Sequence, residues 1–438
     1  STRGVSSPIE PRWFQLLCLS LVVLRCQPLR RALTVFGDHT VVISQNVECQ
    51  ICHREYFVRV AIGLDSFQRH YFDCLDCEQP IGIAVRSSPP RGHIEVVENC
   101  KLGGFDRTKT IINLHPNFCF PVDKFHDETY FPSIEGVELL IPYMRGRPGH
   151  FLQDVASQFD IPNADTLWGQ VKALYQLSHL DGKDKPIQKL LIGYNKQRSK
   201  VKATECECSS YIDVMNEFYD SLFYPRVNEL FEPVAELIDQ LYEEGKLDEF
   251  YDFYQTSLRT ENAQRYLSAL SSFFNFREIL GQLAYRARIN NSDVDDLMVG
   301  SKNFDVIKLF YGEVYESLTS NFTVLACLNN LENGRNYDTF LRLTLPQYIK
   351  DVEKAKKDGP FKENERFSKF SDSLDSSLRN GSHHASAWRE GEVIMYRSGG
   401  TGAERSISYS RYLYMSNVVT ISLVALHMIE LHMVKKYS

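Results

Sequence analysis

The sequence predicts an α+β chain, β-rich in its N-terminal region and mainly α-helical in its C-terminal one. Three observations lead there. From about residue 32 to 135, short β-branched runs are broken by Gly, Pro, Asp and Asn. From about 150 to 380, apolar residues recur instead at three- and four-residue steps. Four cysteines form two Cys-x2-Cys pairs, and both pairs lie in the first stretch. Boundaries at 1–140, 141–209 and 210–438 follow: a β-rich region, a helical connector and a helical domain.

Composition narrows the class. The chain has 438 residues, 43% of them hydrophobic and 24% charged, with a net charge of −7. That is globular composition, and it excludes a disordered, collagenous or polytopic membrane protein. It also excludes a uniformly basic nucleic-acid coat, though not a local basic site. Eleven cysteines in this length are too few and too uneven for a disulfide scaffold.

The apolar run Trp13–Leu24 is flanked by Arg12 and Arg25 and is about half the roughly 20 residues of a spanning helix. It reads as a buried element more readily than as a signal peptide, because Arg25-Cys26-Gln27-Pro28 follows where small residues would stand. Residues 1–35 carry five Arg, so a peripheral arm is an alternative. A second apolar stretch, Val418–Val434, contains His427, Glu430 and His432, which argue for a core helix. The expected location is the cytoplasm, with no membrane contact.

The β-rich part contains ALTVFGDHTVVIS (32–44), YFVRVAI, IGIAV, HIEVVE and KTIINL. Cys49-x2-Cys52 and Cys74-x2-Cys77 stand 21 residues apart. A Cys-x2-Cys turn brings two thiolates to one ion, and two such turns complete a tetrahedral four-thiolate site. The spacing therefore predicts a zinc ribbon with a structural Zn2+, closed to water. His53, His70, His93, Cys100 and Cys119 are spare ligands nearby. Cys206 and Cys208 read as loop residues.

In the helical part, Val227, Leu230, Phe231, Val234, Leu237, Ile238, Leu241 and Tyr242 make one amphipathic helix ending at Gly245. Pro233 either kinks it or starts it. Further helices are expected at about 261–289, 303–317, 337–356 and 363–378. Residues 210–260 hold twelve Asp/Glu against three Lys/Arg, a local charge of −9, which reads as a solvated acidic face. Asp293, Asp295 and Asp296 suggest a helix N-terminus. The aromatic clusters at 251–254 and 273–276 read as core. Ser398-Gly-Gly-Thr-Gly402 reads as a hairpin turn, because no Lys-Ser/Thr follows to make a phosphate loop.

The functional signal is SLRNGSHHASAW: Arg379, Asn380, Gly381, Ser382, His383 and His384. Arg-x4-His alone arises roughly 0.6 times by chance in such a chain, and Arg145–His150 is a second copy, read as chance in a Gly/Pro loop. Requiring Asn after Arg lowers the chance expectation to roughly 0.03. A face of Phe367, Phe370, Leu374 and Leu378 leads into Arg379. The residue types suit RNA cleavage by the RNA's own 2′-hydroxyl. His transfers protons near neutral pH, and Arg offers a permanently charged fork to phosphate oxygens. One His cannot readily serve as both acid and base, which two facing copies would solve.

This motif resembles that of the HEPN superfamily, small helical domains of which many are metal-independent ribonucleases with Arg-Asn-x3-His at the end of a long helix. Bacterial members often carry a short hairpin and a last helix after the motif, and the hairpin-like 392–409 and the apolar helix at about 410–434 resemble that pair. The resemblance covers the last 80 or so residues. It implies an endoribonuclease with Arg379, Asn380 and His384 as catalytic residues, an RNA substrate and a homodimer. HEPN domains joined to an extra region resemble toxins of phage-defence and abortive-infection systems, which implies a phage-derived trigger or an antitoxin. Gly381 departs from the pattern, since Gly tends to end helices, and it makes His383 the alternative to His384. The competing reading is a non-catalytic zinc-ribbon module that binds nucleic acid or protein and dimerises through its helices.

Overall fold

A computed structural model describes residues 42–438 except 64, 89–90, 131, 145–159, 201–205, 301–302, 384–385 and 401. The apolar run at 13–24, the Arg145–His150 copy and His384 lie outside the described residues. The chain is β-rich first and helical afterwards, as the sequence predicts.

The strands are β1 (Val42–Cys49), β2 (Glu55–Ala61), β3 (Phe67–Asp73), β4 (Pro80–Ser88), β5 (Arg91–Glu98), β6 (Cys100–Leu102), β7 (Thr110–Leu114) and β8 (Phe120–Pro121). One sheet has the order β6-β1-β2-β7, with β2 and β7 parallel. The other is the antiparallel meander β3-β4-β5. Alternate side chains of both sheets enter one core. Tyr56, Val58 and Val60 of β2 do so with Ile81, Ile83 and Val85 of β4, at the two-residue period of a strand, while Phe57 and Ala84 on the opposite faces are buried as well. Strand β3 is missing from the sequence-based prediction for a physical reason. Its inward residues are Gln68, His70 and Phe72, so two of the three buried side chains are polar and the alternation is invisible.

The helices are α1 (Pro132–Met144), α2 (Ala164–Leu177), α3 (Asp184–Arg198), α4 (Tyr211–Phe223), α5 (Arg226–Glu243), α6 (Asp248–Phe253), α7 (Arg259–Asn275), α8 (Arg277–Arg288), α9 (Phe304–Ile307), α10 (Phe310–Glu332), α11 (Leu345–Asp351), α12 (Glu365–Ser368), α13 (Ser376–His383) and α14 (Tyr409–Lys436). A small β9 (Leu297–Met298) pairs with β8, and β10 (Ala387–Glu390), β11 (Val393–Arg397) and β12 (Glu404–Ser408) form a second meander.

Helix α14 is the axis of the helical part and packs on α4, α5, α7, α8 and α10. By length and composition it could cross a membrane, yet 94% of its most apolar window is buried within the protein. Several of its buried polar groups find partners there. Asn417 donates to the Leu280 carbonyl (3.0 Å), and Glu430 accepts from Tyr254 (2.9 Å), Asn262 (2.9 Å) and Tyr266 (2.5 Å).

Several helical expectations change. Helix α5 continues through Pro233, so the proline does not start it. The 261–289 segment breaks at Phe276 into α7 and α8. Helix α10 continues fifteen residues past 317, to Glu332, because Asn321–Leu331 is buried on all sides and shows no amphipathic period. Only Leu345–Asp351 of 337–356 is α-helical, although Lys354–Lys356 makes one 3-10 turn. Asp293, Asp295 and Asp296 do not start a helix; Asp295 instead accepts from Ser408 (2.7 Å) and Arg411 (2.5 Å), pinning the start of α14.

The β-rich and helical parts are tied by charge. Arg389 of β10 grips Asp73 at the end of β3 through both terminal nitrogens (2.7 and 3.0 Å). Arg277 at the start of α8 pairs with Asp65 (2.8 Å) and with Asp160.

Candidate functional site

The four predicted cysteines converge. Cys49 ends β1 and Cys52 lies in the turn to β2; Cys74 follows β3 and Cys77 lies in the turn to β4. The two turns are built alike. The Cys49 carbonyl accepts from the N–H of His53 (3.0 Å), and the Cys74 carbonyl from that of Glu78 (2.8 Å). His53 (φ 64°) and Glu78 (φ 58°) both adopt the left-handed conformation that closes such a turn. All four sulfurs lie within 4.8 Å of one another, with Cys49–Cys77 at 3.7 Å and Cys52–Cys74 at 3.3 Å. A tetrahedron with metal–sulfur bonds of about 2.3 Å has edges of about 3.8 Å, so the cluster has the dimensions of a four-thiolate metal site.

The surroundings of Cys74 favour its thiolate, whereas burial and the other thiols push Cys52 and Cys77 up. The Tyr56 hydroxyl accepts from the Leu75 N–H (2.8 Å), which leaves its proton for Cys74 Sγ (3.0 Å). Burial pushes the Cys74 thiol up, but Tyr56 and the N–H groups of Cys77 and Asp76 outweigh it and bring it down to about 6. The spare ligands stay outside. Cys100 Sγ points to the Gly82 carbonyl (3.3 Å), His53 and His93 pair with Glu48 and Glu95, Cys119 packs by Gln282, and His70 is buried with no hydrogen-bond partner among the described residues. Cys206 and Cys208 lie in a loop, as expected, with their sulfurs 3.7 Å apart.

The Arg-Asn motif lies on α13. The hydrophobic face leading to it is buried, but it is not one helix. Residues 365–371 form α12 and a 3-10 turn, and α13 starts afresh behind Asp375, which accepts from the N–H groups of Ser377 (2.7 Å) and Leu378 (3.0 Å). The motif helix therefore has eight residues, and the long helix is its neighbour α10. Tyr311 of α10 fixes α13 by donating to the Ser373 carbonyl (2.8 Å) and accepting from the Asp375 N–H (2.7 Å).

Gly381 does not end α13, which continues to His383. A Cβ at Gly381 would stand 3.1 Å from the Tyr396 Cβ. The glycine thus lets strand β11 close on the helix. Arg379 is half-buried; one terminal nitrogen donates to Asn380 Oδ1 (2.5 Å) and the other pairs with Glu316 of α10. Asn380 Nδ2 reaches Ser398 Oγ (3.4 Å). The His383 ring lies over Gly312 of α10, where a Cβ would be 2.8 Å from Nε2. Arg379 and Asn380 are thus brought together, with His383 on the same helix, while His384 falls outside the described residues.

Sequence reasoning missed Glu316, Gly312, Ser398 and Tyr56. No motif marks Glu316 or Gly312, which become neighbours of α13 only through packing, and Ser398 reads from sequence only as the start of a hairpin turn. Tyr56, four residues after Cys52, was visible only as part of a strand.

Comparison with known protein families, curated proteins and solved structures finds no match to this chain.

Proposed function

We propose that the chain is a metal-independent endoribonuclease of the HEPN type, acting in bacterial defence as a toxin of the abortive-infection kind, with a structural zinc held by Cys49, Cys52, Cys74 and Cys77. The observation that carries the nuclease reading is the Arg379–Asn380 pair on α13, with its guanidinium held by a side chain on each flank. In this reading the RNA 2′-hydroxyl attacks the adjacent phosphorus and the 5′-oxygen leaves, giving a 2′,3′-cyclic phosphate. The proton of the 2′-hydroxyl passes to one His384, and the leaving oxygen takes a proton from the His384 of a second copy. Arg379 balances the charge gathering on the phosphate. Asn380 positions Arg379 through its Oδ1. The zinc supplies no chemistry, because four thiolates leave no open position; it joins the β1–β2 turn of one sheet to the β3–β4 turn of the other. The N-terminal region senses a trigger or restrains the nuclease in the cytoplasm.

The test is cleavage of a mixed RNA in EDTA. His384→Ala and Arg379→Ala are each expected to lose roughly 10²–10⁴-fold, and His383→Ala to keep most activity. Wild-type activity in both His variants would overturn the nuclease reading. The second reading, a non-catalytic module that binds nucleic acid or protein, is favoured by one observation: Glu316 already neutralises Arg379. RNA or protein bound by the wild type without cleavage would establish it.

A further inference from the structure

Helix α10 carries a stripe of three residues spaced by four: Gly312, Glu316 and Ser320. Each meets a basic side chain from another segment. His383 lies over Gly312, Arg379 pairs with Glu316, and Lys354 Nζ donates to Ser320 Oγ (2.5 Å). Four residues of helix rise about 6 Å, so the groups facing the stripe form a row about 12 Å long on α10. Arg265 of α7 extends it, reaching Asn321 Oδ1 (3.2 Å).

Lys354 is the anomaly in this row. It is half-buried, and among the described residues it donates to one hydroxyl and has no ion pair of its own. Its neighbours in the chain are held differently. Lys357 caps the end of α11 on the carbonyls of Tyr348 and Ile349. Lys356 pairs with Glu353 in solvent (2.7 Å). Lys354 has instead two cations nearby, Arg265 and Arg379, each already paired with a carboxylate of its own, Glu261 and Glu316. Burial, opposed by Glu316 but reinforced by Arg265 and Arg379, makes its protonated form harder to keep. A half-buried ammonium with so few partners costs stability unless an anion completes it.

We infer that Lys354 holds a backbone phosphate of a bound RNA strand, which runs along α10 from Arg379 over Ser320 toward Arg265. The inference rests on the nuclease reading for the choice of RNA, but not on cleavage. Glu316 and Glu261 balance Arg379 and Arg265 while the row is empty, and a run of phosphates shares that role when RNA binds.

The experiment uses the full chain in EDTA and a short 2′-O-methyl oligoribonucleotide, which binds but cannot supply the attacking hydroxyl. Affinity is measured against salt by fluorescence anisotropy. Each phosphate contact adds about 0.7 to the slope of log K against log salt for a single strand. Lys354→Met is expected to weaken binding about tenfold at low salt and to lower the slope by about 0.7, while Lys354→Arg keeps both and Lys356→Met changes neither. Thermal melting of Lys354→Met should match or exceed the wild type, since an under-partnered ammonium has been removed. An unchanged slope in Lys354→Met, an equal loss in Lys356→Met, or no binding by the wild type would overturn the inference. Cleavage of unmodified RNA by the wild type separates the two ideas. Cutting with an unaffected Lys354→Met slope sinks only the phosphate row. Binding with the expected slope change and no cutting sinks only the nuclease.

Discussion

Glu430 lies toward the C-terminal end of α14, sealed from water. Its carboxyl faces three donors. Tyr254, at the head of a π-helical turn (Tyr254–Leu258), donates to one oxygen; Asn262 and Tyr266 donate to the other. Burial raises its pKa from 4.5 to about 7, although those donors and the nearby Arg265 pull the other way. The folded state therefore holds a proton that the unfolded chain releases above about pH 4.5. Between that value and about pH 7 the unfolded state binds fewer protons, so stability falls as pH rises. At 1.36 kcal/mol per unit, a shift of about 2.5 units makes the loss about 3 kcal/mol. His427, one turn earlier and stacked on Tyr266 at 4.3 Å, works in the opposite sense. Burial, helped by His179, depresses it to about 3, so it favours the fold as pH rises toward 6.5. The absolute curve of the protein sums both groups, and the informative quantity is a difference.

Glu430→Gln removes only the acid's contribution. Urea unfolding of wild type and variant is compared across the acid-to-neutral range. Below about pH 4.5 the two should differ by a constant set by the altered hydrogen bonds. Above about pH 7 the variant should have gained about 3 kcal/mol relative to that baseline. A difference that stays flat across the range would refute the reasoning, because it would mean that Glu430 has the same pKa folded and unfolded.

Two more outcomes follow from the geometry. Cys74→Ser should release about one zinc per chain, measured by metal analysis, and lower the thermal stability of the β-rich part; apparent binding energies of structural zinc peptides, about 10–16 kcal/mol, set the scale of what is at stake. Full zinc content in the variant would refute the four-thiolate assignment. Gly381→Leu should cost about 1–3 kcal/mol by pushing β11 off α13, while Gly381→Ala should be near neutral, since a helix gain of about 1 kcal/mol offsets the 3.1 Å contact with Tyr396; equal costs for both in thermal melts would show that the close approach is not what the glycine serves.

The division into strands and helices, the four cysteines and the position of α14 were legible in the sequence, because each rests on a local signal. A pair of Cys-x2-Cys turns carries its geometry within a few residues, and β2 and β4 are short β-branched runs. His427 and Glu430 marked α14 as a helix needing polar partners inside a protein, and Tyr219 and Tyr254 are among them. The signals failed where burial is complete or polar. The second half of α10 is buried on all sides, so no amphipathic stripe distinguishes it, and β3 turns Gln68 and His70 inward. Gly381 misled because a glycine that ends a helix and one that admits a neighbouring strand look identical in a string of letters. The surroundings of the motif were beyond any sequence reading. Arg379 and Asn380 are adjacent in the chain, but Gly312, Glu316, Ser320 and Lys354 come from segments 25 to 67 residues away. Nothing in their local patterns demands the others. Only the packing of α13 on α10, fixed by Tyr311 and by the absence of a side chain at Gly312, decides that they meet.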